Sequence, residues 1–150
     1  ICIELHEARK QLIEKAAQKY GIDIIKAYQG DATQLETMKL GLFDRILVDA
    51  PCSGLGVLQR KPDIRLKVTP ESIDEIVDLQ KKILESAAKC LKVNGWMVYS
   101  TCTLNKKENE RQVKRFLDNH TNFELVEERS IFPYEYHSDG FYYAKIRRIA

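Results

Sequence analysis

Two cysteines, Cys52 and Cys102, each closely follow an apolar segment with the composition of a buried strand. The first segment leads into the sequence DAPCSG (residues 49–54), and the second leads into STCT (residues 100–103). The carboxyl ends of parallel strands meet at one edge of a sheet, which is where α/β proteins bind their ligands. The sequence therefore predicts that both thiols belong to one site, in which either has the chemistry of a nucleophile.

Three acidic side chains, Glu4, Asp31 and Asp49, also stand where predicted strands end. Acids at equivalent strand ends lie along the same sheet edge as the cysteines. One such acid would mean little. Three of them indicate a ligand that offers several hydroxyl or amino groups to this edge.

The elements that position these residues are predicted from the apolar periodicity. Strands alternate with helices, which predicts an α/β fold with a mostly parallel sheet. Thr69 and Pro70 are typical of a helix start, and residues 94–95 are expected to end that helix. Asn105 and Glu108 have the spacing of a capping box for the next helix. Strands are predicted at the start of the chain and over residues 22–28, 43–49, 96–100, 123–127 and 139–148.

The composition is that of an ordinary globular domain, since 44% of the 150 residues are hydrophobic and 31% are charged. The net charge of +2 neither requires nor excludes a nucleic acid, because a basic face can exist within a near-neutral total. No apolar segment approaches the ~20 residues that span a bilayer, and the sequence shows no signal peptide pattern. A cytoplasmic protein without membrane contact is expected.

The four cysteines, Cys2, Cys52, Cys90 and Cys102, include no C-x-x-C pair and have no histidine at a zinc-binding spacing. No metal site is therefore predicted. Disulfide bonds are not expected in a chain without a secretion signal. Cys2 and Cys90 are interpreted as small buried side chains.

The two cysteine motifs, in this order and with a basic loop between them, resemble the fourth and sixth motifs of the NOL1/NOP2/Sun family of RNA cytosine-C5 methyltransferases. The segments RKPD (60–63), NE (109–110) and DGFY (139–142) match further family positions, so the resemblance extends along nearly the whole chain. It implies a class I, Rossmann-like methyltransferase sheet with S-adenosylmethionine as the methyl donor. The bacterial members that the chain resembles act on 16S ribosomal RNA, which would be its partner.

The resemblance also implies roles for single residues. Glu4 would hold the ribose hydroxyls of the donor, although family members more often have aspartate there, and Asp31 would hold the adenine amino group. Asp49 would contact the methionine portion of the donor or the target base. Cys102 would be the nucleophile, and Cys52 would serve product release.

The chemistry of cytosine methylation explains why a thiolate is needed. Carbon 5 is a poor nucleophile, so a thiolate first adds to carbon 6 and makes carbon 5 enamine-like. DNA cytosine methyltransferases resemble this scheme but place their nucleophile in a Pro-Cys like residues 51–52. The presence of Cys102 in the second motif favours the RNA enzymes. The alternative interpretation of Cys52 and Cys102 is that they are two small buried thiols at unrelated strand ends.

The long connection after Cys52 carries four cations, Arg60, Lys61, Arg65 and Lys67. Loops of this length in compact domains are usually functional or disordered. With an RNA substrate, these side chains are expected to contact phosphates, while the target base is turned out of its stack. The alternative is a solvated charged loop. The sequence does not define the oligomeric state, and a monomer is favoured.

The family's first strand and glycine-rich first motif would precede Ile1. Residues 1–150 are therefore expected to be the carboxyl-terminal part of a catalytic domain, with a gap in the sheet between the strand at Ile1 and the strand ending at Asp49. This chain alone is expected to bind the donor weakly.

Three other interpretations remain open. The first is an inert RNA-binding fragment or pseudoenzyme. The second is a class I methyltransferase that acts on tRNA, a protein or a small molecule. The third is a cysteine hydrolase, although neither cysteine motif has a histidine nearby to activate it.

Overall fold

The computed structural model describes all residues from Ile1 to Ala150. The strands are β1 (Cys2–Glu4), β2 (Ala27–Gln29), β3 (Phe43–Asp49), β4 (Leu91–Thr101), β5 (Phe123–Ile131) and β6 (Phe141–Arg148). The α-helices are α1 (Glu7–Lys19), α2 (Pro70–Lys89), α3 (Glu110–Asn119) and α4 (Pro133–Tyr136), and 3-10 helices span Ala32–Met38 and Pro62–Leu66. None of the helices combines the length and apolar character that crossing a membrane requires.

The six strands form two sheets. β1 and β2 pair in parallel, and the larger sheet has the order β3-β4-β6-β5. β3 and β4 are parallel, whereas β6 runs antiparallel to both β4 and β5. The predicted α/β fold is present, and its larger sheet is more mixed than the alternation of elements suggests. The short connection from β5 to β6 explains the difference, because short connections join antiparallel strands.

The sheet is interrupted between β1 and β3, which belong to separate sheets, as the gap predicted between them requires. β3 is consequently an edge strand of the larger sheet. Leu47 in this strand is 71% exposed, so nothing in this chain covers that side chain. The smaller sheet is tied to the remainder through the first 3-10 helix, where the Leu35 N–H donates to Ser86 Oγ in α2 over 2.9 Å.

Helix α2 begins as the sequence predicts. Thr69 Oγ1 accepts from the Ser72 N–H (3.2 Å), and Ser72 Oγ accepts from the Thr69 N–H (2.9 Å), which forms a reciprocal cap ahead of Pro70. The apolar face of α2 packs with α3 against the larger sheet. The core between these layers contains Val48, Leu84, Ala87, Leu91, Met97, Tyr99, Val113, Phe116, Tyr142 and Ile146.

Several predicted boundaries differ from the structure. β4 begins at Leu91 instead of residue 96, and β5 continues to Ile131 instead of ending at residue 127. β2 spans only Ala27–Gln29 instead of residues 22–28, because its partner β1 offers three residues for pairing. Ile24 is accordingly 83% exposed. Helix α2 ends at Lys89, before residues 94–95, which lie inside β4. There Asn94 adopts a left-handed φ of 64°, in a bend where the register between β3 and β4 shifts.

The predicted capping box at Asn105 and Glu108 is also wrong. Helix α3 begins at Glu110, and Asn105 Oδ1 instead accepts from the Lys107 N–H over 3.0 Å. Glu108 is fully buried. Its side chain is bound by groups far away in sequence, so that it cannot cap the helix.

Candidate active site

Strands β3 and β4 deliver both cysteines to the carboxyl edge of the larger sheet. The strands are parallel, and their last paired residues are Asp49 and Ser100. The Ala50 N–H continues this ladder by donating to the Ser100 carbonyl over 2.9 Å. Just beyond it, the Sγ atoms of Cys52 and Cys102 lie 3.1 Å apart. The structure therefore brings the two predicted cysteines into direct contact.

The two thiols are free, partly buried and unequal in acidity. The hydrogen bond from the Cys52 thiol lowers the pKa of Cys102 to about 7, and the Cys102 backbone N–H acts in the same direction. The contact with Cys102, together with burial, raises the pKa of Cys52. The first negative charge of the pair therefore resides on Cys102, beside a protonated Cys52.

The loop after Cys52 is attached to the backbone at Cys102 through Gly56. The Gly56 N–H donates to the Cys102 carbonyl (3.0 Å), and the Gly56 carbonyl accepts from the Gly140 N–H (2.8 Å). A Cβ atom on Gly56 would lie 2.1 Å from the Gly140 oxygen and 2.7 Å from the Cys102 oxygen. Only glycine permits this approach of three backbone segments. Gly54, at a left-handed φ of 73°, turns the chain into the loop.

Glu4 and Asp31 lie together at the carboxyl ends of β1 and β2. Glu4 pairs with Gln29, and its carbonyl accepts from the Gly30 N–H over 3.0 Å. Glu4 Oε1 accepts from the His6 N–H at 3.0 Å. Asp31 Oδ1 accepts from the hydroxyl (2.7 Å) and the N–H (2.8 Å) of Thr33, which lowers the pKa of Asp31.

The second oxygens of Glu4 and Asp31 accept no hydrogen bond within the chain. Both carboxylates thus retain acceptor capacity for hydroxyl or amino groups of a ligand. Asp49 stands apart from them at the end of β3, three residues before Cys52, with an exposed side chain. The predicted acids are therefore divided between the smaller sheet and the cysteine site.

The four cations of the loop after Cys52 differ in their partners. Arg60 forms an ion pair with Asp139, just before β6, and so ties the loop to the turn that holds Gly140. Lys67 pairs with Asp63 over 2.9 Å within the loop. Lys61 and Arg65 are exposed and form no ion pair.

An open cleft lies beside the cysteine site and extends the basic surface. Leu55 lines it from the loop after Cys52, and Leu104 lines it from the segment after Cys102. Lys106, Lys107 and Arg111 contribute positive charge. Lys107 is paired with Asp74 at 2.8 Å. These cations were not singled out by the sequence analysis, because they are divided between the segment before α3 and the first turn of α3.

A second set of residues missed by the sequence analysis lies directly beneath the cysteines. Ser53 and Thr103, each the residue after a cysteine, are buried and hydrogen-bonded to each other over 2.9 Å. Glu108 accepts from both the N–H and the hydroxyl of Ser53. The repeated order of cysteine then hydroxyl residue was the available signal. No group of three or more histidine, cysteine, aspartate or glutamate side chains is arranged to hold a metal ion.

Comparison with known proteins gives a consistent result. Residues 1–147 match the family described as 16S rRNA methyltransferase RsmB/F. The chain is 38% identical to a probable ribosomal RNA small subunit methyltransferase B from Synechocystis, covering 95% of the chain and 36% of the relative. A protein of the same description from Bacillus subtilis is 36% identical, and the match covers 97% of the chain and 37% of that relative. The chain thus spans little more than a third of the length of these relatives.

Solved structures show the same relationship. NSun6 from Pyrococcus horikoshii, solved with SFG, superposes with a TM-score of 0.89 at 29% identity, covering 99% of this chain and 41% of that one. A methyltransferase homologue from the same organism gives a TM-score of 0.85 at 27% identity, and the match covers 98% of this chain and 52% of that one. The fold is therefore the class I, Rossmann-like fold of S-adenosylmethionine-dependent methyltransferases. Given the family match over residues 1–147 and these relatives, the chain belongs to the 16S rRNA methyltransferase RsmB/F family.

Proposed function

We propose that residues 1–150 form part of the catalytic domain of an enzyme that methylates carbon 5 of a cytosine in 16S ribosomal RNA. The observation that carries the proposal is the contact of two free thiols, Cys52 and Cys102, 3.1 Å apart at the carboxyl edge of the larger sheet. A methyl transfer to oxygen or nitrogen requires no such pair. Methylation of an unreactive ring carbon requires a covalent nucleophile, and a paired thiol with a lowered pKa is suited to that task.

Cys102 is the nucleophile in this proposal. Its thiolate adds to carbon 6, forming a sulfur–carbon bond and moving the electron pair of the 5,6 double bond toward carbon 5. Asp49, which is exposed at the end of β3, is the residue proposed to hydrogen-bond the base near nitrogen 3 and so favour the addition. S-adenosylmethionine, when bound, supplies the methyl group. Loss of the carbon 5 proton then returns the electron pair, and the sulfur–carbon bond breaks to restore the Cys102 thiolate.

Cys52 serves product release in this scheme, and its electrostatics suit that order of events. The contact with Cys102 is the main cause of the raised pKa of Cys52. Once the Cys102 sulfur is bonded to carbon 6 it carries no negative charge, so this cause disappears. The pKa of Cys52 then falls, so Cys52 loses its own proton to solvent. As a thiolate it takes the carbon 5 proton directly or through a water molecule.

Glu4 and Asp31 are the proposed donor-binding residues. Each retains a carboxylate oxygen without a partner in the chain, and both lie at the ends of paired parallel strands. In class I sheets this edge binds the nucleotide. Glu4 would accept from the ribose hydroxyls and Asp31 from the adenine amino group. Asp49 would face the methionine portion of the donor, between the donor and the base.

The RNA contacts are assigned to the basic surface around the cysteine site. Arg60, Lys61, Arg65 and Lys67 lie on the loop after Cys52, and Lys106, Lys107 and Arg111 line the adjoining cleft. Such dispersed cations bind phosphates without reading sequence. The target cytosine must leave its stack to reach Cys102, since carbon 6 is inaccessible within a helix.

The test uses the full-length protein and a ribosomal RNA fragment in which cytosine is replaced by 5-fluorocytosine. Fluorine at carbon 5 cannot leave as a proton does, so the covalent adduct persists and migrates as a protein–RNA band on a denaturing gel. The adduct is expected to require donor and to disappear with Cys102→Ser. Cys90→Ser, a change of a buried cysteine outside the site, is the matched control and should retain it. An adduct that persists in Cys102→Ser and is lost in Cys52→Ser would reverse the assignment.

A further inference from the structure

Each cysteine of the site is followed by a buried hydroxyl residue, and the two hydroxyls meet. Ser53 Oγ and Thr103 Oγ1 lie 2.9 Å apart. Glu108 binds Ser53 twice, since Oε2 accepts from its backbone N–H (2.8 Å) and Oε1 accepts from its hydroxyl (2.6 Å). Thr103 is also within 3.5 Å of Glu108 Oε1. One carboxylate therefore connects the residues that follow the two cysteines.

The direction of the hydrogen bonds between the two hydroxyls follows from their partners. The Ser53 hydroxyl has a single proton, which it donates to Glu108, so it must accept from Thr103. The Thr103 hydroxyl in turn accepts from the Asn105 N–H at 3.3 Å. The chain of hydrogen bonds therefore runs from Asn105 through both hydroxyls to the Glu108 carboxylate. Its terminus must accept hydrogen bonds on both of its outer atoms, which a carboxylate does and a side-chain amide, with one oxygen and one NH₂ group, does not.

The residues before the cysteines are held by two neighbouring amides. Gln80 Nε2 donates to the Pro51 carbonyl (2.9 Å) and to Glu108 Oε2 (3.1 Å). Asn109 Oδ1 accepts from the Thr101 hydroxyl over 2.6 Å. Because both partners of Gln80 are acceptors, its NH₂ group must face them, and Gln80 Oε1 is left buried without a partner.

Asn109 also holds the far side of Cys102, because its Nδ2 donates to the Thr103 carbonyl over 2.9 Å. Asn109 thus binds the residue before Cys102 and the residue after it. On the other side of the site, Gln80 binds Pro51, before Cys52, and Glu108 binds Ser53, after Cys52. Glu108 is also attached to β4, because the Tyr99 hydroxyl donates to the Glu108 carbonyl over 2.7 Å. Gln80, Glu108 and Asn109 are exposed by 0%, 0% and 1%, so none of them is available to touch RNA or donor.

We propose that Glu108, with Gln80 and Asn109, forms a positioning unit that sets the separation of the Cys52 and Cys102 sulfurs. The unit binds the residues on both sides of each cysteine and forms no hydrogen bond with the thiols themselves. Its catalytic consequence rests on the function proposed above, because it concerns the same thiol pair. Its effect on the distance between the two sulfurs does not depend on that function, and the experiment measures the two effects separately.

The test begins with Glu108→Gln in the full-length protein. The glutamine has the same shape but replaces one acceptor oxygen with a donor that faces the Ser53 and Gln80 donors. The readout is the pH dependence of Cys102 alkylation by iodoacetamide, followed by mass spectrometry of the Cys102 peptide. With the sulfurs moved apart, the midpoint should rise from about 7 toward the ordinary thiol value of ~8.5.

Gln112→Met is the matched control. Gln112 is as buried as Glu108 and donates to the Val77 carbonyl over 2.9 Å, but it contacts neither cysteine loop. This variant should lower the melting temperature and leave the alkylation midpoint unchanged. An equal shift of the midpoint in both variants would overturn the inference, because it would then follow from general loosening.

A double variant makes the test specific for the thiol contact. Cys52→Ala removes the partner whose position the unit sets, so Glu108→Gln should add no further shift to Cys52→Ala. Additive shifts would overturn the inference. If Glu108→Gln does not fold, Ser53→Ala replaces it, because that change removes only the hydroxyl and keeps the Ser53 N–H bond to Glu108.

Adduct formation with 5-fluorocytosine RNA supplies the catalytic readout. Glu108→Gln should slow it on the order of 100-fold, as expected for a nucleophile displaced by about 1 Å, with little change in RNA affinity. Alkylation requires neither RNA nor donor. Absence of adduct in the unmodified protein would therefore reject the proposed function, whereas an unshifted midpoint with normal adduct formation in Glu108→Gln would reject the positioning unit.

Discussion

The Cys52 sulfur lies 3.1 Å from the Cys102 sulfur, although the two residues are 50 positions apart in the chain. The parallel pairing of β3 and β4 brings the two strand ends together, and Gly56 holds the loop after Cys52 against the Cys102 carbonyl. At this separation one thiol donates to the other. The acidity of Cys102 is consequently a property of the pair rather than of one residue.

The first prediction concerns this acidity. Cys52→Ala removes the donor that is the main cause of the lowered pKa of Cys102, so the pKa should rise from about 7 toward its ordinary range. Alkylation of Cys102 at pH 7 should then slow by roughly tenfold, because less of the thiol is ionised. Cys52→Ser keeps a hydroxyl donor and should shift the pH midpoint less. Equal midpoints in Cys52→Ala and the unmodified protein would show that the contact does not control Cys102.

The second prediction concerns product release. In the full-length protein, Cys52→Ala with ordinary cytosine RNA and donor should accumulate a covalent protein–RNA species, because the proposed acceptor of the carbon 5 proton is missing. Denaturing electrophoresis detects this species, and Cys102→Ser in the same protein should abolish it. Ordinary turnover by Cys52→Ala would remove the release role from Cys52.

The sequence predicts those parts of the fold that depend on local patterns. Apolar periodicity reflects burial, which is why β3 lies where expected. The start of α2 is also found where expected, because the Thr69 cap and Pro70 act within one helical turn. The ends of the strands bearing Cys52 and Cys102 follow from the same pattern. Parallel pairing then suffices to bring the cysteines together.

Features that depend on distant partners could not be predicted in this way. Glu108 has the spacing of a capping residue, yet Ser53, 55 positions earlier, binds its carboxylate. Residues 94–95 have the composition of a helix stop, yet they lie inside β4, at the register shift against β3. In both cases a tertiary contact outweighs the local preference, which is worth about 1 kcal/mol or less.

The third prediction tests the close approach of backbone segments at Gly56. Gly56→Ala would place a Cβ 2.1 Å from the Gly140 oxygen, so the loop after Cys52 must move. We expect a loss of about 1–3 kcal/mol in the free energy of unfolding and slower formation of the 5-fluorocytosine adduct. Gly41→Ala is the matched control. Gly41 has a positive φ of 82° but open space around it, so this change should cost stability without affecting the adduct. Unchanged adduct formation in Gly56→Ala would contradict the prediction.

The fourth prediction separates the cations of the loop after Cys52. Lys61 and Arg65 are exposed and unpaired, whereas Lys67 is paired with Asp63. Lys61→Ala and Arg65→Ala should each weaken RNA binding and lower the slope of log affinity against log salt by about 1. Lys67→Ala should have a smaller effect, because its charge is already compensated. Lys82→Ala, on a face of α2 away from Gln80, is the control. Equal slopes for all four variants would contradict an RNA role for the loop.

The fifth prediction concerns donor binding. The proposed ribose and adenine acceptors, Glu4 and Asp31, belong to the smaller sheet, while Asp49 belongs to the larger one, and no strand pairing joins β1 to β3. Apart from the contacts of the first 3-10 helix with α2, a ligand that needs all three acids must therefore help to hold the two sheets in register, which reduces its affinity. Isothermal titration should show that the 150-residue chain binds S-adenosylmethionine at least tenfold more weakly than the full-length protein.

Glu4→Gln tests the same donor site within the full-length protein. A hydrogen bond to a charged acceptor contributes about 1.5–3 kcal/mol, so its weakening should lower donor affinity by up to ~100-fold. Glu14→Gln, on the exposed surface of α1, is the matched control and should leave the affinity unchanged. Micromolar binding by the 150-residue chain would show that the smaller sheet is already held in its binding position. Unchanged donor affinity in Glu4→Gln would show that the Glu4 carboxylate does not bind the donor.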